Sequence, residues 1–272
     1  MVADDSAAGA VALAVDDRGG PAVLEARSVS VRFGGVAALD GVDLAFAPGE
    51  TCGVIGPNGA GKTTLFDVLS GVRPPSRGEV VLDGVPVTRR SATWRARRGL
   101  RRTFQRQQTF GALSVADNLL VALEWRGGGG GLAGDVARLP GRRQRERQRR
   151  ERVEEVLDRC GLADVRDVPA GRLPIGRARM VELARAVIDP PRVLLLDEPT
   201  SGLDDAEADR LLDVVHGVRD RHGSAVVLIE HDVGLVMRAC DRVVVLHLGS
   251  VLADGTPADV RADPAVRDAY LG

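Results

Sequence analysis

GPNGAGKTT, residues 56 to 64, fits the pattern GxxxxGK[ST] through Gly56, Gly61, Lys62 and Thr63. Before it, Glu50 to Ile55 (ETCGVI) predicts a buried strand. After it, Leu65, Phe66 and Leu69 at core spacing predict a helix that starts near Gly61 and stops around Gly71. In a strand–loop–helix turn of this kind the glycines remove each Cβ that would keep the loop from curling around a phosphate. Successive backbone N–H groups and the helix N-terminus can then point at the anion. Lys62 adds a mobile charge for the β and γ phosphates, and Thr63 a hydroxyl for Mg²⁺.

Composition supports the same reading. The 272 residues contain 37 Lys plus Arg, and Lys62 is the single lysine among them. A planar guanidinium is a poor substitute for a compact ammonium inside a phosphate cradle, so lysine persists where its shape matters. With 44% hydrophobic residues the chain can bury a substantial core, and a net charge of -1 implies no general polyanion partner. Cys52, Cys160 and Cys240 are scattered and lack CxxC spacing, which suits a reducing compartment better than a disulfide framework or zinc site. No apolar run is long enough to span a bilayer. Ala7 to Val15 is preceded by Asp4 and Asp5 and lacks the basic start of a secretory signal, so residues 1–21 are read as a disordered tail.

Around the loop the pattern is strand-like. Leu24, Ala26, Val29, Val31 and Phe33 alternate, as do Val42 to Phe46. Glu79 to Leu82, Asp83-Gly84 and Val85 to Val87 read as a hairpin. Phe33, just before Gly34-Gly35, fits either stacking on an adenine ring or packing in the core. Between Arg89 and Arg152 stand 17 Arg against 5 acids, a local balance of +12. Ser114 can cap a helix carrying Val115, Leu119, Leu120 and Leu123, and Arg142 to Cys160 predicts a long charged helix ending at Gly161; Gly127 to Gly131 separates the two. The arginines fit a solvated helix face or a contact with an acidic partner or anionic head groups.

Further on, Ala178, Val181, Ala184, Val187 and Ile188 describe an amphipathic helix that stops at Pro190-Pro191. Arg192 to Leu196 is a continuous apolar strand ending in Asp197-Glu198, where a metal ligand and a residue acting on water belong. Helix Asp204 to Arg221, strand Ala225 to Ile229 ending at Glu230-His231, a helix from Asp232 and strand Arg242 to Leu248 follow. The alternation predicts an α/β parallel sheet with right-handed crossovers. His216, His222 and His247 carry no motif and are read as structural.

In order, GPNGAGKT, RTFQ ending at Gln105, LPIGR at Leu173 to Arg177, LLLDEPTSGLD ending at Asp204 and IEHD around His231 resemble the ATP-binding cassette (ABC) ATPases from about Leu24 onward. The FGG start, the RTFQ context and the ending ADGTPADVRADPAVRDAYLG are similar to the ATPase subunits of branched-chain amino-acid importers. The resemblance implies a P-loop NTPase with a RecA-like parallel-sheet core, an antiparallel β subdomain and an inserted helical subdomain. Residues 22–272 would form the ATPase, with helices inserted over about 107–189 and a short C-terminal extension over about 249–272.

It also implies roles. Phe33, Gly56, Asn58, Gly59, Gly61, Lys62, Thr63, Thr64 and Gln105 would contact ATP, with Pro174, Gly176 and Asp204 facing nucleotide from the signature and the loop before the next helix. Thr63, Gln105 and Asp197 would hold Mg²⁺, Glu198 would act as general base or place the water, and His231 would sense the γ phosphate. The signature departs from the family's LSGGQ: Pro174 replaces a serine, Ile175 a glycine and Arg177 a glutamine, while Gly176 remains. The implied partners are transmembrane permease subunits, a second ABC ATPase subunit in a heterodimer and an extracytoplasmic solute-binding protein. The implied place is cytoplasmic, peripheral on the inner face of the cell membrane. A soluble cassette ATPase acting on nucleic acid is disfavoured by the single cassette, the lack of a long heptad repeat and the scarcity of aromatics beside the basic run, so no nucleic acid is expected. A small-molecule kinase is disfavoured by the signature-like loop and His231.

Overall fold

The computed structural model describes residues 21–105, 108–123 and 140–271. The tail expected over residues 1 to 21 lies outside them apart from Pro21, and so does the glycine run 127 to 131.

Two sheets organise the chain. Strands β1 (Leu24–Phe33), β2 (Val36–Phe46), β4 (Arg77–Leu82) and β5 (Val85–Pro86) form an antiparallel sheet in the order β2-β1-β4-β5. β2 begins earlier than the alternating run Val42 to Phe46 predicts. Gly34, at φ 57, turns the chain tightly enough to pair Phe33 with Val36, and Gly41, at φ 64, takes up a register shift with its N–H on Ser30 Oγ at 2.9 Å. Strands β3 (Thr51–Ile55), β6 (Leu100–Arg102), β7 (Val193–Asp197), β8 (Ala225–Ile229), β9 (Arg242–His247) and β10 (Ser250–Gly255) form the second sheet in the order β10-β9-β3-β8-β7-β6. All of its pairings are parallel except β10 with β9.

β3, β7 and β8 are buried at every position, as strands with both faces covered require. Their side chains divide between two cores. Cys52, Val54, Val193 and Leu195 pack with Leu65, Phe66 and Leu69 of helix α1 (Lys62–Ser70) and with the antiparallel sheet. Ile55, Leu194 and Leu196 face the helices α3 (Val115–Leu123), α4 (Pro140–Arg159), α5 (Ile175–Val187) and α6 (Asp205–His222). Helices α7 (Val233–Ala239), α8 (Pro257–Ala262) and α9 (Pro264–Leu271) complete that side. Ser114 Oγ accepts the Asp117 N–H at 3.0 Å, the cap expected of it.

The short helix α2 (Ala92–Arg97) holds an arginine that the solvated-face reading did not allow for. Arg95 is fully buried and donates to the carbonyls of Val68 and Leu69 at 2.7 Å each, ending α1, and to Val87 at 2.7 Å. Its charge faces the carbonyl end of the α1 dipole. Burial pulls its pKa down to about 10. Among the described residues no helix is long and apolar enough to cross a membrane.

Candidate functional site

The strand order brings four polar endings to one edge of the sheet. Parallel β3, β6, β7 and β8 run out at the same end into Gly56, Thr103, Asp197 and Glu230, and open α/β sheets bind ligands at such an edge. The loop after β3 is shaped by backbone that only glycine tolerates. Gly56 sits at φ 150 with Leu246 O 2.2 Å from where a Cβ would stand; Gly61 sits at φ 104 with Ala38 O at 2.5 Å. Gly59, at φ 81, is open on its Cβ side, and Asn58, Gly59 and Thr63 are exposed with Thr64 half-buried beside them. Lys62 folds back onto the loop, donating to Gly56 O at 2.6 Å and Pro57 O at 3.1 Å. Burial lowers its pKa, and Glu198 and Asp197 oppose that shift. A desolvated ammonium satisfied by carbonyls of a loop built for anions suits a triphosphate.

Glu198 is held from both sides: Gln105 Nε2 donates to its Oε2 at 2.9 Å, and His231 Nε2 lies 2.8 Å from its Oε1. Its backbone is at φ 49, a conformation a glutamate adopts only when its surroundings impose it. The imposing contacts are its N–H on Ile229 O at 2.9 Å and its carbonyl accepting from Ser201 N at 3.2 Å. The bend carries its carboxylate off the line of β7 and between the ends of β6 and β8.

Asp197 is buried, and desolvation raises its pKa although Arg102, donating to Oδ2 at 3.0 Å, works against the rise. Thr63, Gln105 and Asp197 together offer a hydroxyl, an amide carbonyl and a carboxylate. That all-oxygen set around a charge-starved acid fits a small hard dication.

The remaining expected residues divide. Phe33 is 45% exposed, which overturns core packing for it, and the Arg73 guanidinium lies 4.5 Å from its ring centroid. Pro174, Gly176 and Asp204 belong to a second group. Pro174 is the exposed residue before α5, and Gly176 lies inside the first turn of the helix rather than ahead of it. A Cβ on Gly176 would stand 2.0 Å from Glu207 Oε1, and Glu207 closes a capping box with Asp204 at the start of α6. Arg177 turns away from that face and grips Asp164 with both terminal nitrogens, at 2.8 and 3.1 Å. Arg177 thus serves a contact within the chain.

Three residues escape the sequence reading. Arg102 bridges Asp197 to Asp67 of α1; the RTFQ quartet that contains it drew attention to Gln105 alone. Buried Glu230 accepts from Thr200 N at 2.9 Å and Thr200 Oγ1 at 2.7 Å, tying the turn after Glu198 to the end of β8. The IEHD context was the available signal for Glu230, and LLLDEPTSGLD for Thr200.

Fold and site define a P-loop ATPase. A family model described as "ABC transporter" matches residues 39–201, and one described as "Branched-chain amino acid ATP-binding cassette transporter" matches residues 250–272. The chain is 40% identical over 250 residues to the high-affinity branched-chain amino acid transport ATP-binding protein BraF of Pseudomonas aeruginosa, covering 92% of this chain and 98% of that one. It is 37% identical over 250 residues, with the same coverage, to the corresponding LivG protein of Escherichia coli K12. A solved ATP-binding cassette of an ABC transporter in its ADP conformation superposes with a TM-score of 0.77 at 28% identity, covering 93% of this chain and 100% of that one. The chain belongs to the ATP-binding, ATP-hydrolysing subunits of the ABC transporter family.

Proposed function

We propose that this chain powers uptake of branched-chain or related amino acids through separate permease subunits, hydrolysing ATP at the edge where β3, β6, β7 and β8 end. The observation that carries the chemistry is the clasp of Glu198 between Gln105 and His231, beside Lys62 and Asp197. The substrate class rests on similarity to BraF and LivG along nearly the whole chain and on the match over residues 250–272.

In this reading the triphosphate lies on the amides of residues 56 to 64, and Phe33 offers its exposed ring to the adenine. Lys62 leaves the Gly56 and Pro57 carbonyls for the β and γ phosphates. Thr63, Gln105 and Asp197 would hold Mg²⁺, which would supply positive charge beside the phosphates. Glu198 orients the attacking water and accepts its proton. His231 fixes the other carboxylate oxygen and reaches toward the γ phosphate. Residues 22–272 form the ATPase, with a helical insertion over about 107–189 and an extension over about 249–272. The chain sits at the cytoplasmic face of the cell membrane, paired with a second ATPase chain and served by an extracytoplasmic solute-binding protein.

The test is reconstitution of the chain with its permease, partner ATPase and solute-binding protein in vesicles. ATP-dependent uptake of leucine, isoleucine or valine is the expected result. Retention of ATPase activity without uptake of any of the three would discard branched-chain amino acids as the substrate while leaving the chemistry standing.

A further inference from the structure

Helix α5 carries an unusual row on the face it turns toward the segment after β6. Arg179, Glu182 and Arg185 recur every three residues and so lie along one side of the helix. Arg179 donates to the carbonyls of Phe104 at 3.3 Å and Gln105 at 2.9 Å. Glu182 Oε1 accepts the Gln108 N–H, and Arg185 donates to the Gln108 carbonyl and covers the Phe110 ring at 4.8 Å. The row therefore grips the backbone on both sides of residues 106 and 107. The Gln105 it holds by the carbonyl is the residue whose side chain reaches Glu198 at 2.9 Å.

Stability alone is a poor account of this row. Arg179 and Glu182 have side chains only 11% and 7% exposed and lie 3.5 Å apart. Among the described residues, Arg179 Nε, Glu182 Oε2 and Arg185 Nε are buried with no hydrogen-bond partner, Glu182 Oε2 having only the 3.5 Å ion pair to Arg179. Burial raises the Glu182 pKa and lowers that of Arg185, the mark of charges held against their solvation preference. Replacing a buried ion pair by apolar side chains of similar volume is often neutral or stabilising in folding free energy. What they could not do is fix four backbone groups in direction.

We infer that Arg179, Glu182 and Arg185 are positioning residues for ATP hydrolysis, which set the backbone from which Gln105 holds Glu198. They tie that hold to the helix that begins at the signature residues Pro174 to Gly176. The inference rests on the role given above to Glu198.

A double-mutant cycle on the full chain tests it. Arg179→Ala should lower kcat about tenfold with the Kd for ATP changed less than about twofold, because the loss falls on geometry at the water and spares nucleotide binding. In a Gln105→Ala background the same substitution should change kcat less than about twofold, since its route to Glu198 is already cut. Melting temperatures identify any variant that fails to fold; if Arg179→Ala is one, Arg179→Lys and Arg179→Gln run the same cycle. Multiplicative effects of the two substitutions, or an effect on Kd alone, overturn the inference. A fully active Glu198→Gln enzyme would instead overturn the site reading beneath it, so the two failures are distinguishable.

Discussion

Arg102 Nη2 stands 3.0 Å from Asp197 Oδ2 while its Nη1 stands 2.7 Å from Asp67 Oδ1, so one guanidinium with a side chain 5% exposed joins the end of β7 to α1. Losing it strands Asp197 in a site with 4% side-chain exposure. Arg102→Leu is expected to lower unfolding free energy by about 3 kcal/mol, the lower part of the range for breaking a buried pair because Asp67 is partly solvated. Arg102→Lys should recover only part of this, since an ammonium cannot span both carboxylates in the guanidinium's planar geometry. Urea unfolding of the three proteins measures it. Equal midpoints for wild type and Arg102→Leu would show that the bridge contributes nothing to stability.

The Glu198 clasp makes a second prediction. Glu198→Gln keeps the shape and an acceptor oxygen but removes the charge that would take a proton, so turnover should fall by about 10²-fold or more while ATP binding persists. Lys62→Ala should instead weaken nucleotide binding, because it removes the desolvated cation proposed to meet the phosphates. Paired binding and steady-state ATPase measurements separate the two outcomes. A Glu198→Gln protein hydrolysing near the wild-type rate would remove Glu198 from the mechanism.

These two sites also show what a sequence can and cannot disclose. Lys62, Asp197, Glu198 and His231 were legible because each ends or follows a segment whose apolar run declares a buried strand; the sheet then had to bring them to one edge. Arg102 was not, because an arginine in a segment dense with arginines reads the same whether it faces water or a carboxylate 95 positions away. Arg95 was hidden for the same reason. The start of α5 is not legible because Pro174 and Gly176 argue against helix, whereas proline before the first turn needs no N–H and Glu207 fills the space that a side chain at Gly176 would occupy. The exposure of Phe33 depends on how far the β1–β2 hairpin projects, which alternation alone does not specify.

All three cysteines are buried, and burial pushes the thiols of Cys160 and Cys240 from the ordinary 9.0 up to about 12, with Cys52 well above the usual value. A thiol whose folded pKa lies above its unfolded one contributes stability that is full below about pH 9 and is lost as pH rises through about 12. The unfolding midpoint should therefore fall progressively above about pH 9. At pH 8 a thiol reagent should label the native chain only as fast as it opens, and all three sites at once in denaturant. Rapid labelling of any one cysteine in the native protein would contradict its burial.

The long helix α4 bears on the choice between solvated arginines and a docking face. Arg147 pairs with Glu151 at 2.7 Å and Arg150 with Glu146 at 3.1 Å, exposed pairs four residues apart whose attraction water largely screens. Arg145 is exposed on the same helix. Reversing Arg142, Arg143 and Arg145 to Glu tests the docking face. If this end of the helix meets the permease, transport should fall while basal ATPase activity stays intact. Unchanged transport in vesicles would return these arginines to the solvated face.

Pro174 decides the last prediction. It stands exposed at the start of α5 with φ −56 and ψ 157, and its carbonyl accepts from Ala178 N at 3.0 Å. It has neither N–H nor hydroxyl, so it offers nothing to a γ phosphate where the family's serine would donate. In a face-to-face dimer the signature of one chain meets the nucleotide held by the other. A homodimer would therefore carry this deficit at both sites, and a heterodimer at one. A lost hydrogen bond to a charged acceptor is worth about 1.5 to 3 kcal/mol, enough to change the rate at one site without silencing it. Purified alone, this chain should dimerise weakly with ATP and hydrolyse slowly; mixed with a partner that bears a serine in its signature, it should do both faster. Pro174→Ser should raise the rate of the isolated chain toward that of the mixture. An isolated chain that forms a stable ATP-dependent homodimer and hydrolyses as fast as the mixture would show that Pro174 imposes no such asymmetry.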